Sequence, residues 1–378
     1  MNRLARWLVL VAVTAVVLAL TAALIYQASL QGVAASFTSP PPPPELIPPS
    51  HPIAPHPTAG QRMEPALVKA LATAAPDERL DIIVEMREQV APSSLVHGQA
   101  TGLRARQQVV GALQNTAERT QAVVRAFLSA HWLAGDVTHV TPFWIFNGLA
   151  VTGARPDVVE QLATLPDVAL IRLDRWRRWI NADPEARYAP FVPRLSQVEW
   201  GIRQIRADEV WNTLGISGTG VVVANLDTGV DWQHPALQAS YRGYSPKGFH
   251  QHEGNWFDAT NAGALYPVDG HGHGSHTMGT IVGQEGIGVA PDARWIAVRT
   301  FDNNGFARDS WLHAGFEWLL APNGDPNLAP QVVNNSWGND IGTLTSFQRD
   351  IDALRAAGIF AIFSAVGPPT SKRAMKSW

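Results

Sequence analysis

The chain has 378 residues, with 29 basic and 32 acidic side chains, a formal net charge of -3 and no cysteine. The lack of cysteine excludes disulfide frameworks, thiolate metal sites and cysteine nucleophiles. Nucleic acid is not an expected partner, because proteins that bind it concentrate positive charge against the phosphates. The length is sufficient for two folded domains and a leader.

The first 35 residues have the features of an export signal. Arg3 and Arg6 precede residues 7–26, which carry no charge, and Val33 and Ala35 suit a small-residue cleavage site. The uncharged run also reaches the length of about 20 residues that spans a bilayer. We therefore predict an extracytoplasmic protein, which is either secreted after cleavage of residues 1–35 or anchored in the membrane through residues 7–26.

A proline-rich linker and a small domain are predicted next. Residues 36–62 are rich in proline and predict an extended spacer. Residues 79–175 read as strand, helix, strand, helix, strand, which predicts a ferredoxin-like α+β domain with its helices on one face of an antiparallel sheet. The predicted elements are residues 80–86, 104–130, 140–153, 155–165 and 169–174.

The longest predicted helix is amphipathic. Arg106 lies off its apolar stripe, which should pack onto the sheet. The domain contains no paired carboxylates, histidine cluster or glycine-rich loop, so we expect it to bind rather than to catalyse. The stripe consists of Val110, Leu113, Ala117, Val124 and Leu128.

The second half of the chain predicts an α/β domain. Residues 176–199 are rich in Arg and Pro and predict an exposed connector with a solvated or cleavable basic run. Within residues 200–365 short apolar strands, predicted at residues 221–226, 295–301, 331–336 and 359–364, alternate with helices, which predicts a parallel sheet with helices on both faces. In open parallel sheets the catalytic groups gather at the carboxyl ends of the strands.

Asp227 comes directly after the apolar run VVVANL, and Thr228-Gly229 turn the chain away. This placement favours a carboxylate with a catalytic role over a turn aspartate whose side chain bonds its own backbone. Asp-Thr-Gly is also typical of aspartic proteases, but those need a second such aspartate, and the sequence has no second Asp-Thr-Gly or Asp-Ser-Gly.

The stretch DGHGHGSH, residues 269–276, contains three histidines. His271, His273 and His276 have the spacing of a His-x-His-x-x-His cluster, in which imidazoles coordinate zinc. Ser275 replaces the aspartate that usually precedes the last histidine of such a cluster. The alternative is that one of the three histidines transfers a proton.

The segment HGSHTMG, which begins at His273, resembles the subtilisin family signature His-Gly-Thr-His-Val-Ala-Gly, with departures at Thr277 and Met278. VVVANLDTGVDWQHPAL resembles the aspartate block of that family, and VVNNSWG resembles its substrate-binding strand. GIRQIRADEVW, NWFDA and GVAPDARWIAVRTF make bacillopeptidase F-like members the most similar. The upstream α+β domain, residues 79–175, resembles the inhibitory propeptide of the family.

The resemblance implies a precursor of a serine endopeptidase with an incomplete subtilisin-like sheet. His273 would be the general base, and Asp227 would hold its tautomer. Ser336, Trp337 and Gly338 would form an edge strand that pairs with an extended peptide or protein substrate. The domain's own propeptide would be a second partner. No metal ligand and no cofactor are expected, although a structural calcium ion is left open.

The family's nucleophile motif, Gly-Thr-Ser-Met-Ala, does not occur in the sequence. Val366-Gly367 stands where the family has the Gly-Asn of its oxyanion hole, and residues 366–378 form a tail unlike the family. We therefore predict a chain that is truncated before its nucleophile and inactive as written. The alternatives are a non-catalytic binding protein that resembles a protease or a propeptide, and a zinc hydrolase that uses the histidine cluster.

Overall fold

The computed structural model describes residues 59–95, 102–180, 198–260, 262–338 and 345–364. The predicted leader, most of the proline-rich linker and the tail lie outside the described residues. Among the described residues, no helix combines the length and the apolar character needed to cross a membrane.

The first half of the described chain forms a four-stranded antiparallel sheet with the strand order β2-β3-β1-β4. Strand β1 is apolar along most of its length because both of its faces are buried, which is the pattern of a central strand. The strands are β1 (Leu80–Met86), β2 (His139–Phe143), β3 (Gly148–Ala154) and β4 (Val168–Leu173), and the helices are α1 (Pro65–Thr73), α2 (Leu103–Leu133) and α3 (Pro156–Leu162).

The hairpin between β2 and β3 corrects the sequence prediction, which had one strand over residues 140–153. The turn, residues 144–147, is mostly apolar and therefore gives no polar turn signal in the sequence. Asn147 adopts a φ of +43°, and its side chain donates hydrogen bonds to the carbonyl of Glu88 and to Oγ1 of Thr120. The turn is buried rather than solvated, which explains its composition.

The segment after β4 also differs from the prediction of an exposed connector. Residues Trp176–Arg178 form strand β5, which pairs antiparallel with β9 (Phe306–Arg308). Trp179 and Ile180 are buried. The segment is therefore held against the second half of the chain, while residues 181–197 lie outside the described residues.

A five-stranded sheet with the order β11-β10-β6-β8-β7 forms the second half, and all of its pairs are parallel, as predicted. Its strands are β6 (Val222–Asp227), β7 (Trp256–Asp258), β8 (Arg294–Arg299), β10 (Val332–Asn335) and β11 (Phe360–Phe363). Its helices are α4 (Trp200–Gln204), α5 (Ala207–Leu214), α6 (Pro235–Gln238), α7 (His273–Val282), α8 (Asp309–Leu320) and α9 (Gln348–Ala356). Short 3₁₀ turns occur at Ala59–Arg62, Pro92–Ser94, Pro322–Gly324 and Pro326–Leu328.

Helices cover both faces of this sheet. Val223 of β6 packs in one cluster with Met278 of α7, whereas Leu226 of the same strand packs with Leu312 of α8. This arrangement follows from the alternation of side chains along a strand and explains why β6 is apolar on both faces. Asp227, the last residue of β6, comes at the carboxyl edge of the sheet.

The two halves share one hydrophobic cluster. Ile83 of β1 and Phe143 of β2 lie in it with Phe316 of α8 and Leu354 of α9. The opposite face of the first sheet packs on helices of its own half, where Val124 of α2 belongs to a separate cluster. One face of the antiparallel sheet is therefore covered by helices α8 and α9 of the second half.

Candidate active site

The carboxylate of Asp227 is fully buried and bonded on both oxygens. Its Oδ1 accepts hydrogen bonds from the backbone N–H of Thr228 and from Nδ1 of His273, each at 2.7 Å. Its Oδ2 accepts from Oγ1 of Thr277 at 3.3 Å. These donors fix the orientation of the carboxylate towards the imidazole.

His273 is the first residue of α7, and its ring meets the carboxylate through Nδ1. Because a carboxylate only accepts, Nδ1 carries the hydrogen and Nε2 keeps its lone pair. No residue in the described part of the chain hydrogen-bonds to Nε2, and the side chain is 18% exposed. The imidazole therefore presents a basic nitrogen to solvent.

Opposing influences act on the pKa of His273. Burial by itself lowers this pKa, but the hydrogen bond to Asp227 and the negative charges of Asp227 and Asp269 raise it, and the net direction is upward. A raised pKa means that the imidazolium is stabilised, which is what a group needs when it accepts a proton during a reaction.

Asp269 organises the start of α7 and was not singled out from the sequence. Its Oδ1 accepts from the backbone N–H groups of His271 at 3.0 Å and Gly272 at 2.8 Å, and from Oγ1 of Thr228 at 2.9 Å. Its Oδ2 accepts from the backbone N–H and the hydroxyl of Ser275. An acidic residue just before a helix start is a capping signal, and this signal could have identified Asp269.

Two glycines allow the loop and the helix to approach each other. A side chain at Gly274 would place its Cβ 2.0 Å from the carbonyl oxygen of Gly229, and one at Gly229 would place it 1.9 Å from that of Val268. Gly229 also has a φ of +107°, where other residues are strained. The close contact brings Gly229, two residues after the end of β6, next to the first turn of α7, and so brings Asp227 next to His273.

Ser336, Trp337 and Gly338 do not form the predicted edge strand. They follow β10 without strand structure, and the sheet continues beyond β10 to β11. Of the three, Gly338 bonds to the segment after β5, through its N–H to the carbonyl of Trp179 at 3.3 Å. The ring of Trp337 lies 5.4 Å from that of Trp179, edge to face.

The three histidines of the DGHGHGSH stretch do not assemble into a metal cluster. Within the described ranges, which include all three, no group of three or more His, Cys, Asp or Glu side chains is placed to hold a metal ion. The rings of His271 and His273 are 6.1 Å apart and nearly perpendicular, and Nδ1 of His273 is directed at Asp227.

A second histidine, which sequence reasoning missed, lies in α8. Nδ1 of His313 donates to Oδ1 of Asp350 at 2.9 Å, and both side chains are fully buried. On the other side of the ring, a guanidinium nitrogen of Arg172 lies 2.9 Å from Nε2. Arg172 belongs to β4, so this contact joins the first half of the chain to the second.

Arg172 also belongs to a buried ionic network between the halves. It pairs with Asp309 at 2.9 Å, and Arg177 pairs with the same carboxylate at 2.8 Å. Asp174 accepts from the backbone N–H and hydroxyl of Ser310 at the start of α8. No local pattern in the sequence predicts contacts between residues so far apart.

The sequence was also compared with family models and with known proteins. Residues 218–367 match the sequence model of the Subtilase family. Bacillopeptidase F of Bacillus subtilis (strain 168) is 39% identical over 296 residues, which are 73% of this chain and 20% of that protein. Subtilisin E of the same strain is 31% identical over 211 residues, which are 55% of this chain and 46% of that protein.

Among solved structures, fervidolysin from Fervidobacterium pennivorans, described as a keratinolytic enzyme related to subtilisin, is similar at 19% identity. The match covers 77% of this chain and 40% of that one, with a TM-score of 0.45. The chain spans about a fifth of the length of bacillopeptidase F and less than half that of subtilisin E. On the sequence matches, residues 218–367 carry a domain of the subtilase family, and most of the chain is similar in sequence to a bacillopeptidase.

Proposed function

We propose that this chain supplies the general base and its orienting carboxylate for peptide-bond hydrolysis. Nε2 of His273 would take the proton of a serine hydroxyl and later deliver it to the leaving amine, while Asp227 holds the imidazole tautomer. The observation that carries this proposal is the 2.7 Å bond from Nδ1 of His273 to a fully buried carboxylate, with Nε2 facing solvent.

The substrate would be an extended peptide or protein chain. The segment of residues 176–180 supports this, because it lies extended beside β9 and is bonded to Gly338. Recognition of an added strand relies on backbone hydrogen bonds for affinity and on pockets at alternate side chains for specificity. Gly338 and Trp337 would therefore contribute to the substrate groove, whereas the hydroxyl of Ser336, in the same stretch, bonds the side chain of Asn334.

The antiparallel domain would act as an inhibitory propeptide. Its residues bind the ends and the middle of helices α8 and α9: Asp174 bonds the first turn of α8, and Glu317 of α8 accepts from the backbone N–H groups of Trp144 and Ile145. Arg106 donates to the carbonyl of Ala357 at the end of α9. Since the segment after this domain occupies the groove, a free substrate would be excluded while the domain is bound.

The sequence of this chain does not contain the nucleophile motif of the family. In subtilisin, removal of the serine lowers turnover by about 10⁶-fold. We therefore expect the 378-residue polypeptide by itself to be inactive towards peptides. Export through residues 1–35 belongs to the same proposal, because it rests on the charge pattern of a leader that lies outside the described residues.

The test is a chimera in which residues 1–364 are followed by a subtilase segment that carries Gly-Thr-Ser-Met-Ala. We expect it to hydrolyse casein and to be labelled by a fluorophosphonate probe, and we expect His273→Ala to abolish hydrolysis. The 378-residue chain and a His276→Ala chimera are the controls: the first should stay unlabelled and the second should keep activity. A folded chimera whose hydrolysis is unaffected by His273→Ala would overturn the proposal.

A further inference from the structure

We propose that the groove selects peptides with an arginine two residues before a large aromatic residue, and that Asp309 is the partner of the arginine. This inference rests on the proposed function, since it names the peptides that the proposed groove would bind. Residues 176–180 of the chain itself carry it, because they occupy the groove as an extended peptide.

The backbone of this segment is fixed at both ends. Arg177 faces Ala307 in the antiparallel pairing of β5 with β9. The N–H of Trp179 donates to the carbonyl of Gly305 at 2.9 Å, and its own carbonyl accepts from Gly338 at 3.3 Å. These bonds involve only main-chain atoms, so any extended peptide could form them. Selectivity must therefore come from the side chains.

The side chain of Arg177 enters an acidic pocket. Its guanidinium lies 2.8 Å from Oδ2 of Asp309, whose side chain is fully buried, and only 14% of the arginine side chain is exposed. The same guanidinium stacks over the ring of Trp179, 5.5 Å from its centroid. A planar guanidinium can pair with a carboxylate and stack on an aromatic ring at once, which a lysine does less well.

The side chain of Trp179 fills an aromatic pocket. It is 2% exposed and contacts the rings of Trp337 and Phe347 at 5.4 and 5.9 Å. Arg178, between the two anchors, is exposed, and among the described residues it donates to the carbonyl of Ile180 within the segment itself. The groove thus has pockets for alternate positions and none for the residue between them, as expected for a chain in extended conformation.

Asp309 has capacity for a cation from a bound peptide. Arg172 pairs with its Oδ2 and also with Glu85, so the charge of this arginine is shared between two carboxylates. Within the described residues, Oδ1 of Asp309 has no hydrogen-bond partner. Removal of Arg177 would leave a buried carboxylate short of positive charge, and such a site favours an incoming guanidinium over a neutral side chain.

The experiment uses the full chain, in which residues 176–180 are the peptide bound in the groove, and measures hydrogen exchange at the amides of Trp179 and Ile180. We expect Arg177→Ala to accelerate this exchange at least about tenfold and Arg178→Ala to change it by less than about twofold. In an Asp309→Asn background, Arg177→Ala should lose most of its effect, because the carboxylate that pairs with the guanidinium is absent.

The outcomes distinguish the arginine selectivity from the groove itself. Equal acceleration by Arg177→Ala and Arg178→Ala would overturn the arginine selectivity and leave the peptide groove intact, and so would an undiminished effect of Arg177→Ala in the Asp309→Asn background. If Asp309→Asn does not fold, the comparison of Arg177→Ala with Arg178→Ala decides alone. In the unmodified chain, exchange at both amides as fast as in an unstructured peptide would overturn the groove itself.

Discussion

The pairs His273–Asp227 and His313–Asp350 have almost the same local geometry. In each, Nδ1 of the imidazole donates to Oδ1 of a fully buried carboxylate, at 2.7 Å and 2.9 Å respectively. The difference lies at Nε2. In the first pair this nitrogen faces solvent, whereas in the second it lies 2.9 Å from Arg172 and the ring is fully buried.

The comparison shows that a histidine held by a carboxylate is not by itself a catalytic feature. Arg172 can only donate a hydrogen bond, so Nε2 of His313 must accept it and has no lone pair left for a substrate. His313 is therefore a structural member of the network between the two halves. His273 has the same support on one side and an open nitrogen on the other.

The largest effect is expected in the pair His313–Asp350, which we call the closed pair because Arg172 occupies Nε2 of the histidine. Arg172→Ala should lower the free energy of unfolding by about 3 to 5 kcal/mol, because it leaves Asp309 and Glu85 with less compensating charge in the interior. Arg349→Ala is the control, since Arg349 pairs with Glu85 from an exposed position and should matter by less than about 1 kcal/mol. Denaturant unfolding measures the free energy for both variants. Equal losses would contradict the conclusion that Arg172 compensates buried negative charge.

The stability of the fold should also depend on pH through Glu317, which lies in α8 like His313. Burial raises the pKa of this carboxyl from 4.5 to about 8, although the N–H groups of Ile145 and Trp144 oppose the shift. A raised folded pKa stabilises the fold fully below pH 4.5, and this stability is lost as the pH rises through about 8.

Glu317→Gln keeps an acceptor for the two N–H groups and removes the titration. Unfolding curves from pH 4.5 to 8 should therefore flatten, with a gain at pH 8 on the order of 3 kcal/mol. Glu160→Gln on the exposed side of α3 is the matched control and should leave the pH profile unchanged. A profile in Glu317→Gln that stays as steep as that of the unmodified chain would show that another group causes the slope.

The next effect concerns the pair His273–Asp227, which we call the open pair because Nε2 of the histidine faces solvent. Asp269→Asn should destabilise the nearby start of α7 by about 1 to 2 kcal/mol, because an amide has one oxygen that accepts hydrogen bonds and the carboxylate has two. It should also lower the pKa of His273, to which the charge of Asp269 contributes. Thermal unfolding and NMR titration measure the two effects. Asp231→Asn, at an exposed neighbouring position, should change neither the stability nor the pKa of His273. An equal change in this control would show that the effects are not specific to Asp269.

The smallest effect is expected for Thr277→Val, which replaces a departure from the family signature with the usual residue. The hydroxyl of Thr277 bonds Oδ2 of Asp227 at 3.3 Å and accepts from Asn225 at 2.8 Å. Its loss should cost about 1 kcal/mol, whereas Thr280→Val on the exposed side of α7 should cost almost nothing. Unfolding measurements that rank the two variants in the reverse order would contradict this role.

The sequence predicted the open pair better than the closed one. Asp227 is the last residue of a strand and His273 is the first residue of a helix. The ends of strands and helices carry local sequence signals. His313, Arg172 and Asp350 stand within regular elements, and their contacts depend on how the two halves pack. The antiparallel sheet was predicted in part, because the apolar turn at residues 144–147 is buried and resembles a continuing strand.

The parallel sheet of the second half was predicted strand by strand at β6, β8, β10 and β11, because apolar strands alternate there with helices. Strand β7 has three residues and was not predicted. The buried segment of residues 176–180 was read as an exposed connector, since an arginine-rich run normally lies in solvent. Its burial depends on Asp309, more than a hundred residues later, and no local pattern contains that information.

The most direct test of the open pair is NMR titration of the ¹³C-labelled histidines in the unmodified chain and in two variants, Asp227→Asn and Asp350→Asn. We expect the pKa of His273 to lie above its ordinary value of 6.5 in the unmodified chain, to fall in Asp227→Asn and to stay the same in Asp350→Asn. If Asp227→Asn left the pKa of His273 unchanged, the buried carboxylate would not be what prepares this imidazole to accept a proton.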